Sequence, residues 1–375
     1  MDPNDTFFDK RLACPAPTHN RYDYLKTLTP WRQRVRKVLP KPKPKYFFAL
    51  DLYNSAALLP RLLGSIVETI RFLGPDICVL SITEGRSTDG TAEVLALLKY
   101  EIERLGVQYV LQHSNINPMD GSESRFKQLA DLRNLALLPL LEAPENFSED
   151  TTVLFINDVS LCMEDILELI HQRKQQGADM VCAMDYINPD KVIRQALFYD
   201  VYISRQINGD TFFYIPSNVS WQFSFDLFWN DDVTKNRFEK GLPFQVWSCW
   251  NGVTAFTAAP LMSGKMKFRD TLPYECILGE PTLFCKDLWF HGFGKIAVVP
   301  SVAVGYDDEK TTEIKEYKGR VGEWLERQGK EGGKGGLEER ISWKGPPEKV
   351  NCAPEWTNQK WVPWDEALRE NGIVP

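Results

Sequence analysis

The sequence predicts a Rossmann-like α/β fold: a mostly parallel sheet with helices on both faces, followed by an aromatic-rich half. Short apolar runs alternate with segments of helical periodicity between residue 46 and about residue 190. These helical segments are long enough to cross over between parallel strands. From about Phe198 the aromatic residues become dense and the helical periodicity is lost.

The first three strands and two helices are predicted as follows. Residues 46–50 form an apolar strand, and in residues 57–72 five Leu and Ile side chains recur at helical spacing. Pro60 is tolerated there because it falls in the first turn. Residues 77–82 form the second strand, and Gly106 ends a helix that begins at Thr91. Residues 107–111 form the third strand.

The next elements continue the alternation. The predicted segments are helix 125–138, strand 153–156, helix 163–175, strand 180–183 and a late strand or strand pair at 296–304. The aromatic stretch after Phe198 is either a second sheet or a substrate-binding half, and most of its rings are expected to be core. The tail contains Trp356, Trp361 and Trp364, which is enough apolar mass to pack back on the body.

Composition narrows the class of protein. The chain has 375 residues, 43% of them hydrophobic, and a net charge of −7, so it can bury a large core and lacks the basic balance of a nucleic-acid-binding protein. No run of 18 apolar residues predicts a membrane-spanning helix, and the N-terminus has no signal-peptide pattern. The eight cysteines form no CxxC or Cys/His cluster, which argues against a zinc site.

The positions of the cysteines give two further expectations. Cys78, Cys162 and Cys182 lie in or beside apolar runs and are expected to be buried thiols. Cys14 and Cys352 lie outside these runs and are the better disulfide candidates. Three Asn-x-Ser/Thr triplets, at Asn4, Asn146 and Asn218, give a weak indication of a secretory route.

The segment Val153–Val159 carries the clearest chemical signal. A buried apolar strand runs directly into Asn157 and Asp158, so that a carboxylate lies at the C-terminal end of the strand. In open α/β sheets ligands bind in the crevice beyond these strand ends. A hard divalent cation with a nucleotide diphosphate would suit this carboxylate. The alternative is an aspartate that only caps a loop.

A second polar segment, Thr83–Thr91, follows the second strand and opens a helix. Ser87, Thr88 and Asp89 are residue types that favour turns and helix N-termini, and Gly90 relaxes the turn. The segment therefore predicts either a loop that touches a nucleotide base or ribose, or simply a well-capped helix.

Taken in order, these segments and Asp131–Asn134 resemble the GT-A class of nucleotide-sugar-dependent glycosyltransferases. Further segments resemble the fungal α-1,3-mannosyltransferase family, which includes the cryptococcal capsule-associated mannosyltransferases. These segments are Cys182–Tyr186, Phe198–Arg205, Cys249–Gly252 and Tyr274–Cys276. The resemblance covers about residues 46–308 and implies transfer of mannose from GDP-mannose to a mannoside or oligosaccharide acceptor, as an α-1,3 linkage formed with retention.

The resemblance also implies a divalent metal, Mn²⁺ or Mg²⁺. Asp158 matches the metal-binding acid of the family's Asp-x-Asp motif, but Ile156 stands where the first acid is often found. This departure leaves the ligand set open. Asp307, just after the late strand, is an alternative ligand. His291 is either a late metal ligand of the GT-A type or, more simply, a core histidine.

The remaining roles are carried over position by position. The donor-binding candidates are Arg133 for the phosphates, Glu84, Ser87 and Asp89 for the nucleoside, Asn157 as a polar contact, and the loop Trp250, Asn251 and Gly252. The catalytic candidates are Glu275 on the acceptor side, Asp200 at the donor sugar, and Asp185. As alternatives, Asp185 could cap a strand end, Asp200 could pair with Arg205, and Glu275 could simply be exposed.

The implied organisation is a leader or stem at 1–45, a catalytic domain at 46–308 and an extension at 309–375 that packs on the body. Within the catalytic domain, 46–190 would bind the nucleotide sugar and 191–308 the acceptor. The Golgi lumen is the expected location, with a membrane anchor missing from the N-terminus. The alternatives are another donor, such as UDP-galactose or UDP-xylose, and a catalytically silent glycan-binding module. A silent module would be expected to lose the acids that this chain keeps.

Overall fold

The computed structural model describes residues 11–17, 20–26, 42–330 and 339–372. The strands are β1 Tyr46–Leu52, β2 Cys78–Glu84, β3 Gln108–His113, β4 Thr152–Ile156, β5 Met180–Asp190, β6 Gln195–Phe198, β7 Arg205–Gln206, β8 Phe244–Ser248, β9 Val253–Thr257, β10 Ile296–Val304, β11 Lys349–Glu355 and β12 Asn358–Pro363. The helices are α1 Leu59–Leu73, α2 Thr91–Arg104, α3 Arg125–Glu142, α4 Met163–Gln176, α5 Asp232–Glu239, α6 Ala259–Met262, α7 Glu280–Phe290, α8 Asp308–Lys318 and α9 Val321–Lys330.

Ten of the described strands form one central sheet. Its order is β3-β2-β1-β4-β9-β5-β10-β8-β7, with β6 paired to β5. The first four strands are parallel, β9 is inserted antiparallel between β4 and β5, and β5 runs parallel to β10. The predicted fold class is therefore confirmed. The aromatic half does not form a second sheet, because β8 and β7 extend the first sheet in antiparallel fashion.

The strand alternation divides the core between the two faces of the sheet. Phe47 and Phe155 pack on the face covered by α3, whereas Phe48 and Ile156 pack on the face covered by α1 and α4. Because successive side chains of a strand point to opposite faces, an uninterrupted apolar run is what a strand buried on both faces requires. The expectation that most aromatic residues of the second half are core is only half right. Phe212, Phe213, Phe228, Trp247 and Trp250 are buried, whereas Tyr214, Trp221, Phe223, Phe225 and Trp229 are exposed.

The N-terminal segment differs from the predicted leader. Leu12, Tyr22 and Leu25 are buried, and the hydroxyl of Tyr22 donates a hydrogen bond of 2.9 Å to Glu168 of α4. Residues 11–17 and 20–26 are therefore part of the body. Residues 27–41 of the predicted leader lie outside the described residues.

The disulfides correct two of the cysteine expectations. The pairs are Cys14–Cys162, Cys182–Cys249 and Cys276–Cys352, and the free cysteines in the described part are the buried Cys78 and Cys285. Cys162 and Cys182 were expected to be thiols, because apolar neighbours give no information about a partner far away in the chain. The outlying Cys14 and Cys352 are bonded, as expected of them, and each joins a terminal segment to the central body.

The C-terminal extension packs on the body through α8, α9 and the hairpin β11–β12. The guanidinium Nε of Arg205 donates to the carbonyl of Asn351 at 2.8 Å, and Arg205 is completely buried. This contact replaces the alternative ion pair between Asp200 and Arg205. In the described residues no helix has the length and apolar character needed to cross a membrane.

Candidate active site

A cleft of about 740 Å³ opens at the C-terminal ends of β1 and β4. This is the sheet edge at which α/β proteins bind ligands. Of the predicted site residues, the cleft is lined by Arg133, Asn157, Asp158, Asp200 and Trp250. Residues that the sequence did not single out also line it: Asp51, Arg86, Arg125, Tyr199, Glu280 and Tyr306.

Two carboxylates meet at the floor of this cleft. In the parallel pairing of β1 with β4, Leu50 lies beside Ile156, so Asp51 and Asp158 both follow the ends of paired apolar runs. Apart from the backbone amide of Asp158 itself, no donor in the described part of the chain hydrogen-bonds either carboxylate. The carboxylate of Asp158 is accessible to solvent within the cleft.

Their environment disfavours the charged form. Desolvation raises the pKa of Asp51 from 3.8 to about 7. Repulsion from Glu280 and Asp158 acts in the same direction, and the attraction of Arg133 opposes it. Desolvation by the surrounding protein is also the main cause of the raised pKa of Asp158. A bound cation would offset this cost at both carboxylates, because an adjacent positive charge favours ionisation.

These residues fit a divalent cation only in part. In the described residues no group of three or more His, Cys, Asp or Glu side chains is close enough to hold a metal. However, Mg²⁺ and similar hard cations are commonly held by one or two carboxylates together with waters and substrate phosphates. Asp158 and Asp51 could supply the protein's share of such a ligand shell.

Arg133 is fixed beside this pair by an aromatic cage and two hydrogen bonds. Its guanidinium carbon lies 4.8 Å from the centre of the Trp250 ring and 5.2 Å from that of Phe155. Its Nε donates to Glu280 at 2.9 Å and its Nη1 to Asn157 at 3.4 Å. The side chain is only 11% exposed, so Arg133 does not lie on an exposed helix face but presents a rigid cation to the cleft.

The loop between β8 and β9 forms the side of the cleft next to Arg133. Trp250 donates from its indole Nε1 to Asn157 at 3.1 Å, which fixes the ring against Arg133. Asn251 is fully buried and Gly252 is covered by Val159, which would lie 2.8 Å from an added Cβ. Both residues have positive φ, 54° and 78°, so they shape the turn rather than line the cleft. Only Trp250 of the three reaches the cleft.

Asp200 and Asp185 are joined by a hydrogen bond, but only Asp200 is exposed to the cleft. The backbone amide of Asn251 donates to Asp200 at 2.8 Å, and the hydroxyl of Tyr306 donates to Asp185 at 2.5 Å. Asp200 lines the cleft, and desolvation raises its pKa to about 6. Asp185 lies inside β5 and is completely buried. Burial and the charge of Asp200 raise the pKa of Asp185 well above its usual value.

This burial corrects the prediction that Asp185 contacts substrate. Asp185 is covered by Tyr306 and by the segment that carries Asp200, so its carboxylate has no access to the cleft. Asp185 therefore acts on the site indirectly. Its carboxylate accepts hydrogen bonds from the Tyr306 hydroxyl and, at 3.3 Å, from the backbone amide of Asp200.

The predicted nucleoside contacts organise loops next to the cleft. Glu84 accepts hydrogen bonds from the Ser87 amide at 2.7 Å and from His113 Nδ1 at 2.9 Å. Burial alone would raise the pKa of Glu84, but these hydrogen bonds lower it overall. Asp89 accepts from the amides of Ala56 and Thr91. None of Glu84, Ser87 and Asp89 lines the cleft. Arg86, which lies between them in sequence, does line it, and its guanidinium donates to the Ile116 carbonyl and to the side chain of Asn117.

Glu275 lies elsewhere and has a structural environment. Its carboxylate accepts hydrogen bonds from Arg269 at 2.7 Å and from Lys286 at 2.6 Å, and its side chain is completely buried. Burial opposes ionisation, but these two cations lower the pKa of Glu275 overall. Glu275 does not line the cleft, which corrects its prediction as the acceptor-side acid. In the sequence, an acid that pairs with distant cations cannot be distinguished from an acid that faces a cleft at the start of a helix.

The two further metal-ligand candidates are also placed away from Asp158. Asp307 is the N-cap of α8 and accepts a hydrogen bond of 2.7 Å from the amide of Lys310. Its side chain lines a neighbouring pocket rather than the cleft. His291 ends α7 and lines a separate surface groove with Asp287. The structure thus brings neither residue to the cleft floor.

The fold and the cleft define the class. A parallel Rossmann-like block, an antiparallel strand beside β4, and carboxylates with a caged arginine at the strand ends are the features of a glycosyltransferase of the GT-A class. The sequence assigns the family: the profile described as cryptococcal mannosyltransferase 1 matches residues 45–287. The chain belongs to this family of mannosyltransferases.

One curated relative agrees with this assignment. The chain is 33% identical over 384 residues to the alpha-1,3-mannosyltransferase CMT1 of Cryptococcus neoformans, covering 95% of this chain and 80% of that protein. Among solved structures it is similar in fold to S. aureus TarS, at 13% identity and a TM-score of 0.41 over 75% of this chain and 68% of that one. Mannosyltransferase PcManGT from Pyrobaculum calidifontis, solved with GDP-Man and Mn²⁺, has 13% identity and a TM-score of 0.41 over 76% and 65%.

Proposed function

We propose that this protein transfers mannose from GDP-mannose to a mannoside acceptor, forming an α-1,3 linkage with retention and requiring Mn²⁺ or Mg²⁺. Family membership supports mannosyl transfer. The observation that supports the metal and the diphosphate is the pair Asp51 and Asp158, two unpartnered carboxylates beside the caged cation of Arg133.

The metal, when bound, would stabilise negative charge on the diphosphate leaving group. Arg133 would add a second cation held in place before the donor arrives, so little reorganisation is needed as charge develops on the phosphate oxygens. Its hydrogen bonds to Glu280 and Asn157 use Nε and Nη1, and no hydrogen bond in the described part of the chain uses Nη2. Nη2 would be the group that contacts phosphate.

Asp200 would face the reacting sugar. Its pKa of about 6 leaves it largely ionised at neutral pH, and the Asn251 amide fixes one carboxylate oxygen. A carboxylate in this position stabilises the positive charge of an oxocarbenium-like centre. With retention by front-face attack, the departing phosphate can accept the proton of the acceptor hydroxyl. The mechanism then needs no general base from Glu275.

The test is a panel of nucleotide sugars with Mn²⁺, followed by release of the nucleoside diphosphate and by NMR of the product. GDP-mannose should be the donor, and the product should be an α-linked mannoside. Release of UDP from UDP-galactose or UDP-xylose instead would replace the donor assignment. Glycan binding with no transfer from any donor would establish the silent module and overturn the proposal.

We also propose that the protein acts in the Golgi lumen. Support comes from the three disulfides, because such bonds persist in oxidising compartments. Protease protection of the epitope-tagged full-length protein in sealed Golgi vesicles is the measurement. Digestion without detergent would contradict a lumenal location.

A further inference from the structure

An aromatic patch lies on the surface between residues 214 and 229, outside the cleft. Its members are Tyr214, Trp221, Phe223, Phe225 and Trp229, each between 36% and 46% exposed. Tyr214 contacts both Phe223 and Trp229 at ring-centre distances of 5.4 Å, so these three rings adjoin one another. Trp221 contacts the buried Phe213, the chain neighbour of Tyr214, at 5.5 Å. Contiguous exposed apolar surface of this kind normally marks a place that something covers.

The same segment contains the triplet Asn218-Val219-Ser220, which is an acceptor sequence for N-glycosylation. Asn218 is exposed in a tight turn, with the Val219 amide bonded to the Pro216 carbonyl at 2.8 Å. Asn218 lies four residues after Tyr214 and three before Trp221, so a sugar chain on it would begin among the rings of the patch. The side-chain oxygen of Asn218 accepts a hydrogen bond of 3.1 Å from the Ser220 amide, and no hydrogen bond in the described part of the chain uses its side-chain nitrogen.

The triplet at Asn146 has a different setting. Phe147 is buried against Phe47, the Ser148 amide donates to the Pro44 carbonyl, and the Ser148 hydroxyl donates to Asp150. Its central residue and its hydroxyl are thus built into the core and the loop beside β1. In contrast, the Asn218 triplet has no buried member. The triplet at Asn4 lies outside the described residues.

The proposed lumenal location, which the three disulfides support, implies folding in a compartment compatible with this modification. Oxidised cysteines form in the endoplasmic reticulum of eukaryotic cells, where N-glycans are also attached. Glycans at such sites are bulky and solubilising. The flat faces of Trp and Tyr rings match the apolar C–H faces of sugar rings, while the sugar hydroxyls remain in water.

We propose that Asn218 carries an N-linked glycan, and that the inner sugars of this glycan cover the aromatic patch. This inference does not depend on the donor or the metal of the proposed reaction. It concerns the covalent state of a surface that the catalytic cleft does not use.

The first experiment tests attachment. The full chain, secreted from a eukaryotic host, is digested to peptides after treatment with peptide-N-glycosidase in ¹⁸O water, which labels each formerly glycosylated asparagine. The peptide containing Asn218 should carry the label. Ser220→Ala should abolish it, whereas Ser220→Thr, which changes the same hydroxyl but keeps the triplet, should retain it. An unlabelled Asn218 peptide from wild-type protein would overturn the proposal.

The second experiment tests coverage. Fluorescence of a dye that binds apolar surface should increase when the folded protein is deglycosylated, and should be equally high in Ser220→Ala. Adding Trp221→Ser and Phe223→Ser to Ser220→Ala should lower the dye fluorescence again. That decrease would show that the dye binds at the patch. Equal dye fluorescence with and without the glycan would show that the sugars extend into solvent and leave the rings uncovered.

Discussion

Replacing Arg133 by Lys is the sharpest test of how the cleft holds a diphosphate. The guanidinium is stacked among Trp250, Phe155 and Phe268 and hydrogen-bonds Glu280 and Asn157 from separate nitrogens. Lysine keeps the charge but offers a single point of attachment without a planar face. The ammonium can retain the contact with Glu280, so the hydrogen bond to Asn157 and the stacked geometry are lost.

The size of the effect follows from the contact with phosphate. The caged guanidinium holds a second donor nitrogen in a fixed orientation toward the diphosphate, and a hydrogen bond to a charged group contributes about 1.5–3 kcal/mol. Without this fixed donor we expect about a 10- to 150-fold decrease in kcat/KM for the donor. Global stability should fall by about 1–2 kcal/mol because the cation–π contacts are lost, but Glu280 keeps a cationic partner and is not left as an unpaired buried charge.

The assay is the release of GDP from GDP-mannose at several donor concentrations, with melting temperature measured in parallel. Arg125→Lys is the matched control. It lines the same cleft but is exposed, and no hydrogen bond or ring contact in the described part of the chain involves it. Arg125→Lys should leave kcat/KM within about threefold of wild type. Normal turnover by Arg133→Lys would refute the reasoning, since it would mean that neither the cage nor the second hydrogen bond matters.

Three further predictions follow from the same site. Asp158→Asn should remove the Mn²⁺-dependent part of GDP binding measured by calorimetry while leaving the melting temperature unchanged; unaltered metal dependence would contradict its role. Glu275→Gln should lower the melting temperature, because it leaves the buried Arg269 and Lys286 undercompensated, and a stable but inactive variant would restore Glu275 to catalysis. The raised pKa of Asp51, from 3.8 to about 7, means that the folded state holds this proton more tightly than the unfolded state. Ligand-free wild-type protein should therefore lose stability as pH rises from about 4 to about 7, and Asp51→Asn should flatten this decrease; identical pH profiles of unfolding would contradict the shifted pKa.

The sheet and Asp158 could be predicted because their signals are local. An apolar run that ends in Asn157-Asp158 specifies both a buried strand and the side of the sheet at which its polar residues emerge. Helices α1 to α4 were recognisable for the same reason, since their periodicity repeats within a few turns. The structure extends several of these elements but places each of them where the pattern indicated.

Other assignments needed partners that lie far apart in the chain. Glu275 looked like a free acid because nothing nearby in sequence shows that Arg269 and Lys286 turn back onto it. Cys162 looked like a buried thiol because its partner Cys14 precedes it by 148 residues. The burial of Cys162 was predicted correctly, whereas the environment of Glu275 was not. For both residues the partner is set by the tertiary fold.

Asp51 shows what a sequence reading could still have extracted. Tyr46–Leu50 ends in an acid just as Val153–Ile156 ends in Asn157-Asp158, so the two runs carry the same signal. Because β1 and β4 are adjacent and parallel, their C-terminal ends lie at the same edge of the sheet, with Leu50 beside Ile156. Asp185 carries the same sequence signal, since it follows the apolar run of β5, and both Asp51 and Asp185 lie inside their strands. Tertiary packing separates them: Asp51 lines the cleft, whereas Asp185 is completely covered and accepts a hydrogen bond from Tyr306. The apolar run therefore predicts which edge of the sheet an acid lies near, and only the packing of distant elements decides whether that acid reaches the crevice.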